Sequence, residues 1–234
     1  MSEYGQFCPV AKAMEVLDER WTLLVMRELL AGSTRFNELR RGNPRMSPAL
    51  LSKRLRTLER AGVVRRVETG GRAEYRPTAA GRELQPIIEA LGAWGTRWVS
   101  GLGEEDLDPH LLFWDMRRTI RVDAWPREPT AVSFRLEGVA PRVSRWWIVV
   151  RGGDVDVCDY DPGLEPVVVV STPLRTLTRV WRGDVAWLQA LRAGDVRLDG
   201  AAEARRRLPA WLGQSAFAKV PRPEPDAGRV LAGA

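Results

Sequence analysis

One segment, residues 35–72, constrains this 234-residue chain most, because it joins a capped amphipathic helix to a basic hairpin. It contains eleven Lys and Arg side chains and three acidic ones. Residues 1–100 carry 17 basic and 11 acidic side chains, whereas residues 101–234 carry 19 of each. An excess of positive charge that is confined to one half predicts a polyanion-binding surface in that half.

The helix predicted within this segment has a signal at each end. Ser47 suits the N-cap, Pro48 the first helical position, and Gly62 the C-terminal stop. At about 100° per residue, one narrow face carries Leu51, Leu55 and Leu58. The opposite face carries Ala49, Lys53, Arg56 and Arg60. We expect the leucines to pack against the protein and the cationic face to stay in solvent.

Small residues near the start of this helix, Ala49 and Ser52, would let it approach a DNA major groove closely. We predict that phosphates or base edges are contacted by Ser47, Ser52, Lys53 and Arg56. An Arg-rich amphipathic helix also occurs in proteins that never bind nucleic acid, where its charges are only solvated. The ordered combination with a cap, a hairpin and a local charge excess favours DNA binding.

A β-hairpin is predicted after the helix, with strands at residues 63–67 and 73–76 around the turn Thr69-Gly70-Gly71-Arg72. Arg65, Arg66 and Arg72 make this hairpin a wing that can lie against a DNA backbone. Its cations would contribute affinity more than sequence choice.

Helices are also predicted on both sides of the basic segment. Pro9 can open a first helix, residues 21–31 form a second that Gly32 ends, and residues 36–41 form a third. The second helix is expected to turn inward Trp21, Leu24, Val25, Glu28 and Leu29. Thr78 can cap a final helix with an apolar stripe of Leu84, Ile87, Ile88, Leu91, Trp94 and Trp98. This stripe is too wide for one small domain to bury, which indicates a second subunit.

Residues 5–100 resemble the HxlR-type winged helix-turn-helix regulators through six blocks in order: residues 8–10, 21–29, 35–40, 47–55, 58–66 and 74–81. Departures are Pro77 before the final cap and the loop at residues 43–46. The resemblance implies a dimer that reads a pseudo-palindromic operator, with the flanking helices at the subunit interface. We therefore predict a DNA-binding surface of Arg35, Ser47, Ala49, Ser52, Lys53, Arg56, Arg60, Arg65, Arg66 and Arg72.

Cys8 has two interpretations. Some members of this family sense oxidants through a cysteine at this place, and a helix N-terminus favours the thiolate. The alternative, which we favour, is a small residue packed at the dimer interface, because the sequence shows no neighbouring resolving cysteine.

The second half predicts an α+β domain. A linker at residues 101–107 leads to a helix at 107–120 and strands at 130–137, 145–151, 155–160, 166–171 and 195–198. Further helices are expected at residues 174–181, 185–191 and 201–212. We expect a mainly antiparallel five-stranded sheet, and a loosely ordered tail at residues 219–234.

Residues 108–218 are similar to the sterol-carrier-protein-2 fold, most clearly in the run from Leu188 to Gly200 before the last helix. This resemblance implies an apolar cavity between sheet and helices that holds a lipid or another hydrophobic molecule. Candidate lining residues are Trp114, Trp146, Trp147, Trp181 and Trp187. Packing in the core is the favoured alternative, and Trp146 and Trp147 must point to opposite faces of their strand.

Catalytic and metal-binding sets are not indicated. His110 is the single histidine and lacks cysteine or carboxylate neighbours at metal-ligand spacing, and Gly152-Gly153 fits a hairpin turn rather than a phosphate loop. We predict no enzyme activity and no cofactor. Two distant cysteines, the absence of a leader and the lack of a membrane span indicate a reducing cytoplasm.

The sequence thus predicts a cytoplasmic, homodimeric DNA-binding transcription regulator. Its domains are a winged helix-turn-helix at residues 1–100 and a ligand-sensing or dimer-stabilising domain at residues 108–218. Expected partners are double-stranded DNA, a second copy of the chain, and a hydrophobic molecule or lipid. The alternative is a lipid-binding protein whose helix-turn-helix serves mainly dimerisation.

Overall fold

The computed structural model describes residues 4–99 and 101–222. The chain divides into two compact units, Met1–Gly95 and Thr96–Ala234. The helices and strands up to residue 98 are α1 Pro9–Leu17, α2 Thr22–Leu30, α3 Phe36–Arg41, α4 Pro48–Arg60, β1 Val64–Thr69, β2 Arg72–Pro77, α5 Ala79–Arg82 and α6 Gln85–Trp98. This order is that of a winged helix-turn-helix, as predicted.

The first core forms where α2, α3 and α4 pack together with β1. It contains Val25, Met26, Leu29, Leu39, Met46, Leu51, Leu55, Leu58 and Val64. One residue of α2 differs from the prediction: Leu24 is 44% exposed, although it was expected to face inward. Glu28, also expected to face inward, is completely buried.

The predicted final helix is interrupted. A short α5 follows the Thr78 cap, whose hydroxyl accepts the N–H of Gly81 at 3.2 Å, and α6 begins only at Gln85. Pro86 explains the interruption, since proline has no N–H to donate to the carbonyl four residues earlier and its ring crowds that carbonyl. The division between the two units falls within α6, before the predicted boundary at residue 100.

The second unit is an α+β domain. Its strands are β3 Thr130–Glu137, β4 Arg145–Arg151, β5 Asp154–Cys158, β6 Pro166–Pro173 and β7 Arg197–Gly200. Its helices after α6 are α7 Pro109–Thr119, α8 Leu174–Arg182, α9 Trp187–Ala193 and α10 Ala202–Leu212. The five strands have the order β5-β4-β3-β6-β7. The sheet is mixed rather than simply antiparallel, because the central strands β3 and β6 run parallel.

One face of this sheet packs against the helices. Alternate residues of β3, β4 and β6 enter that core, among them Val132, Phe134, Ile148 and Val170. The residues between them, such as Ser133 and its cross-strand partner Trp147, point to the opposite face. One face of the sheet therefore packs into the core, and the opposite face carries other side chains, such as Ser133 and Trp147.

The predicted linker and the start of the predicted tail are ordered parts of the second unit. Residues 104–106 form a 3-10 turn, and Arg175 donates to the carbonyl of Leu102 at 2.7 Å and to Glu104 at 2.6 Å. Arg222 pairs with Asp184 at 2.5 Å. The rest of the predicted tail, residues 223–234, lies outside the described residues.

Candidate nucleic-acid interface

Helix α4 is held by its apolar face and its cap. Leu51, Leu55 and Leu58 are buried, and the Ser47 hydroxyl accepts the N–H of Leu50 at 3.3 Å. Ser47 remains exposed, so it caps the helix from the solvent side. The leucine ridge thus fixes the rotation of α4 about its axis and leaves the opposite face outward.

The outward face carries the predicted cations. Ala49, Lys53, Arg56 and Arg60 are exposed, and Ser52 is partly buried beside them. Arg60 donates to the Thr57 hydroxyl at 3.4 Å. Neither Lys53 nor Arg56 forms an ion pair with any carboxylate in residues 4–99 and 101–222. Their charges are therefore available to an external anion.

Arg54 has a different role from its neighbours. It is only 8% exposed, its Nε donates to the carbonyl of Arg20 at 3.0 Å, and its guanidinium pairs with Glu19. Arg54 is one of the eleven cations of the basic segment, but its charge is neutralised by Glu19 inside the protein. It ties α4 to the loop before α2.

Glu28 of α2, predicted to face inward, is a buried carboxylate whose contacts the sequence did not predict. Glu28 accepts from Arg27 at 2.8 Å and from the Ser33 hydroxyl at 3.3 Å. Gly42, at the end of α3, lies against it: a Cβ there would come within 1.9 Å of the carboxylate.

Local hydrogen bonds hold the two segments that precede α4, which are the start of α3 and the loop at residues 43–46. Glu38 accepts the N–H groups of Thr34 at 2.8 Å and Arg35 at 3.0 Å, which caps α3 and leaves the Arg35 side chain exposed. In the loop at residues 43–46, the buried Asn43 donates from its side-chain amide to the carbonyl of Leu39 at 3.0 Å. The loop at residues 43–46 is therefore anchored to α3.

The wing is a two-residue hairpin. Gly70 and Gly71 have φ of +58° and +72°, the signs that a type I′ turn requires, and Thr69 pairs with Arg72 across it. By register, Arg65 and Arg72 lie on one face of the hairpin, whereas Arg66 lies on the other. The three predicted wing cations therefore do not form one surface.

The wing cations also differ in their partners. Arg66 pairs with Glu68 at 2.8 Å, but Arg65 and Arg72 form no ion pair among the described residues. On the face of Arg65, Arg76 donates to Glu74 at 2.8 Å and lowers the pKa of that carboxyl. Arg65 and Arg72 are therefore the wing cations with uncompensated charge.

Cys8 lies at the start of α1 and is partly buried. The backbone N–H groups of Ala11 and then Val10 lower the pKa of its thiol. Cys158, on β5, is buried, and burial raises the pKa of its thiol. The geometry of Cys8 thus favours a thiolate, and it is equally compatible with a small residue at an interface.

Helix α6 exposes the predicted apolar stripe. Leu84 and Ile88 pack against the first core, but Ile87, Leu91, Trp94 and Trp98 are exposed at 37–48%. These four side chains recur at helical spacings of three and four, so they lie along one side of α6. A row of exposed apolar side chains of this kind is typical of an interaction surface.

The five tryptophans proposed for a ligand cavity do not lie together. Trp146 stacks on Phe113 with ring centroids 4.7 Å apart, and Trp181 and Trp187 also pack against the core between sheet and helices. Trp114 is buried beneath the guanidinium groups of Arg117 and Arg118. Trp147 points to the opposite face of the sheet.

His110 is the single histidine of the chain. His110 is exposed, and its ring meets the edge of Trp146 at 5.0 Å. Within residues 4–99 and 101–222, no group of three or more His, Cys, Asp or Glu side chains could hold a metal ion. In the same ranges, no helix has the length and apolar character needed to cross a membrane.

A family model matches the first half of the chain. Residues 16–102 match the family model described as HxlR-like helix-turn-helix. The uncharacterized HTH-type transcriptional regulator YvaP of Bacillus subtilis is 41% identical over 99 residues, which cover 41% of this chain and 92% of that protein. The uncharacterized HTH-type transcriptional regulator sll1512 of Synechocystis is 39% identical over 100 residues, covering 42% and 74%.

Among solved structures, the reduced form of the transcriptional regulator YodB from B. subtilis is similar to 41% of this chain and 97% of its own, with 28% identity and a TM-score of 0.36. The family match ends at residue 102 and so does not reach the five-stranded sheet.

Proposed function

This chain belongs to the HxlR-like helix-turn-helix family of transcription regulators, and from that premise we propose that it acts as a homodimer on a specific operator. In this proposal α4 is the recognition helix, and β1 and β2 form the wing. The second domain senses a ligand or stabilises the dimer, and the protein works in the cytoplasm, where its DNA lies.

The observation that carries the proposal is the outward face of α4. A buried leucine ridge sets the orientation of the helix, and Lys53 and Arg56 on the other side have no carboxylate partner among the described residues. A helix that is fixed in this way can present cations to a major groove without reorganisation. Ser52 and Ala49, on the same side, are small enough to permit close approach.

The wing supports the same surface through a second, less specific contact. Arg65 and Arg72 can neutralise phosphates beside the groove, which adds affinity that depends on salt concentration. Arg60, at the C-terminal end of α4, and Arg35, which forms a β-bridge with Glu74 of β2, add further positive charge. Dimerisation through the exposed side of α6 would present two such surfaces to the two halves of an operator.

Footprinting and a titration of the full chain against DNA from upstream of its own gene test this proposal. Lys53→Ala or Arg56→Ala should weaken operator binding by about 1–3 kcal/mol while changing binding to unrelated DNA less. Arg192→Ala, which removes an exposed cation from the second unit, is the matched control and should leave both affinities unchanged.

Equal losses of affinity for operator and unrelated DNA would show that Lys53 and Arg56 contact only phosphates. Absence of operator binding by the native chain, with an apolar molecule found by native mass spectrometry, would favour the alternative of a lipid-binding protein.

A further inference from the structure

A half-open cavity of about 540 Å³ lies in the second unit, on the face of the sheet opposite the core. Its floor is formed where Ser133 of β3 lies between Trp147 of β4 and Val169 of β6. All three side chains point to the same face because cross-strand partners share a face. The floor therefore offers one aromatic and one aliphatic side chain on either side of the small, polar Ser133.

The wall of the cavity comes from the loop between β5 and β6. Asp161 accepts the N–H of Gly163 at 2.8 Å, and Gly163 has a φ of +70°, which glycine adopts easily. Leu164 of this loop and Pro166, the first residue of β6, also line the cavity. The apolar part of the cavity is thus built from two strands and a turn that is held by its own hydrogen bond.

One end of the cavity carries two neighbouring cations. Arg135 and Arg145 are directly opposed on β3 and β4, both exposed and both lining the cavity. Like charges in directly opposed positions destabilise a sheet. Neither forms an ion pair among the described residues, whereas Arg197, in the same row on β7, pairs with Glu137. An anion placed between Arg135 and Arg145 would offset their repulsion.

The acids near the cavity restrict the kind of anion that fits. Asp161 and Glu165 also line it, so the site as a whole is not strongly positive. A polyanion such as nucleic acid would be repelled by these carboxylates, but a single carboxylate can sit at the arginine end. Paired guanidinium groups suit a carboxylate because they offer parallel N–H donors.

We propose that this cavity binds a planar aromatic monocarboxylate, with its carboxylate between Arg135 and Arg145 and its ring against Trp147 and Val169. Aromatic rings bind favourably against an indole and aliphatic side chains. The binding event needs no DNA. Its use as a signal for the helix-turn-helix rests on the function proposed above.

Calorimetric titration of the full chain with 2-naphthoate, without DNA, tests the proposal. The neutral isostere 2-naphthamide should bind about tenfold more weakly, the size of one charged hydrogen bond. Arg135→Gln and Arg145→Gln should each weaken naphthoate binding about tenfold and leave naphthamide binding unchanged. Trp147→Leu should weaken the binding of both compounds, and Arg192→Gln should change neither.

Circular dichroism of each variant separates loss of binding from loss of fold. The proposal is overturned if the native chain does not bind naphthoate, if it binds naphthamide equally well, or if folded Arg135→Gln and Arg145→Gln variants keep full affinity. Loss of operator binding in the DNA titration would leave this result untouched, so the two proposals fail separately. A change in operator affinity on adding naphthoate would connect them.

Discussion

At the scale of single residues, Lys53 and Arg54 are adjacent cations with opposite fates. Lys53 is exposed, but Arg54 is buried against Glu19 and the carbonyl of Arg20. A helix turns by about 100° per residue, so neighbours can differ completely in environment. The net charge of a segment therefore overstates the charge that DNA can meet.

We expect Arg54→Ala to lower the free energy of local unfolding by about 1–3 kcal/mol, because Glu19 and the Arg20 carbonyl lose their partner. Amide hydrogen exchange across residues 48–60 measures this change. Lys53→Ala is the control and should alter exchange by no more than about 0.5 kcal/mol. Similar protection in both variants would show that Arg54 has no structural role.

The two cysteines give a prediction that depends on pH. Backbone N–H groups lower the pKa of Cys8, so its thiolate persists to lower pH, and burial raises the pKa of Cys158, so its thiolate forms only at higher pH. Alkylation by iodoacetamide follows the thiolate fraction. In the Cys158→Ser variant, which keeps Cys8, the alkylation rate should rise with an inflection below the ordinary thiol pKa of about 8.5. In the Cys8→Ser variant, which keeps Cys158, the inflection should lie above that pKa.

An inflection for Cys8 at or above the ordinary value would contradict the effect of the helix N-terminus. A low pKa alone does not establish oxidant sensing, because a packed interface thiol in the same position would show the same inflection.

At the scale of elements, the wing is a hairpin with two different faces. Arg65 and Arg72 share one face without ion-pair partners in the described chain, and Arg66 on the other face is paired with Glu68. An Arg that already has a carboxylate partner gains less from a phosphate. The hairpin register, rather than the number of arginines, sets the contribution of the wing.

We expect Arg65→Ala and Arg72→Ala each to weaken binding to all DNA and to reduce the magnitude of the slope of log affinity against log salt concentration by about 1. The double variant Arg66→Ala/Glu68→Ala keeps the net charge and should bind like the native chain. Titrations at several salt concentrations measure both. A loss in the double variant as large as that of Arg72→Ala would show that the other face contacts DNA.

At the scale of the whole molecule, the chain combines a basic unit with a neutral one, and α6 carries a row of exposed apolar side chains. Exposed Ile87, Leu91 and Trp94 are too large and too regularly placed to be a scattered surface feature. A second copy of α6 would bury this stripe, which fits a twofold operator reader.

Leu91→Glu should therefore shift the protein from dimer to monomer, because a charge would have to be buried at the subunit interface. Sedimentation velocity at micromolar concentration measures this shift. Gln85→Glu places a carboxylate at the opposite side of the same helix and should leave the dimer intact. A Leu91→Glu protein that remains dimeric would place the interface elsewhere.

The sequence by itself determined the local structure. Periodicity and capping predicted α3, β3 and β4 with the bounds observed, the Ser47 cap, and the opposite faces of Trp146 and Trp147. These features depend on neighbours within a few residues, whose backbone preferences and side-chain spacing are visible in the sequence. The family resemblance added the winged helix-turn-helix order.

Only the tertiary structure decided which residues meet across long separations. The contact of Glu28 with Gly42, the pairing of Arg54 with Glu19, and the parallel pairing of β3 with β6 all depend on how distant segments pack. The same holds for Arg135 and Arg145, which become neighbours through strand pairing. Local preferences say nothing about such contacts, because their free energy exists only once the whole unit has folded.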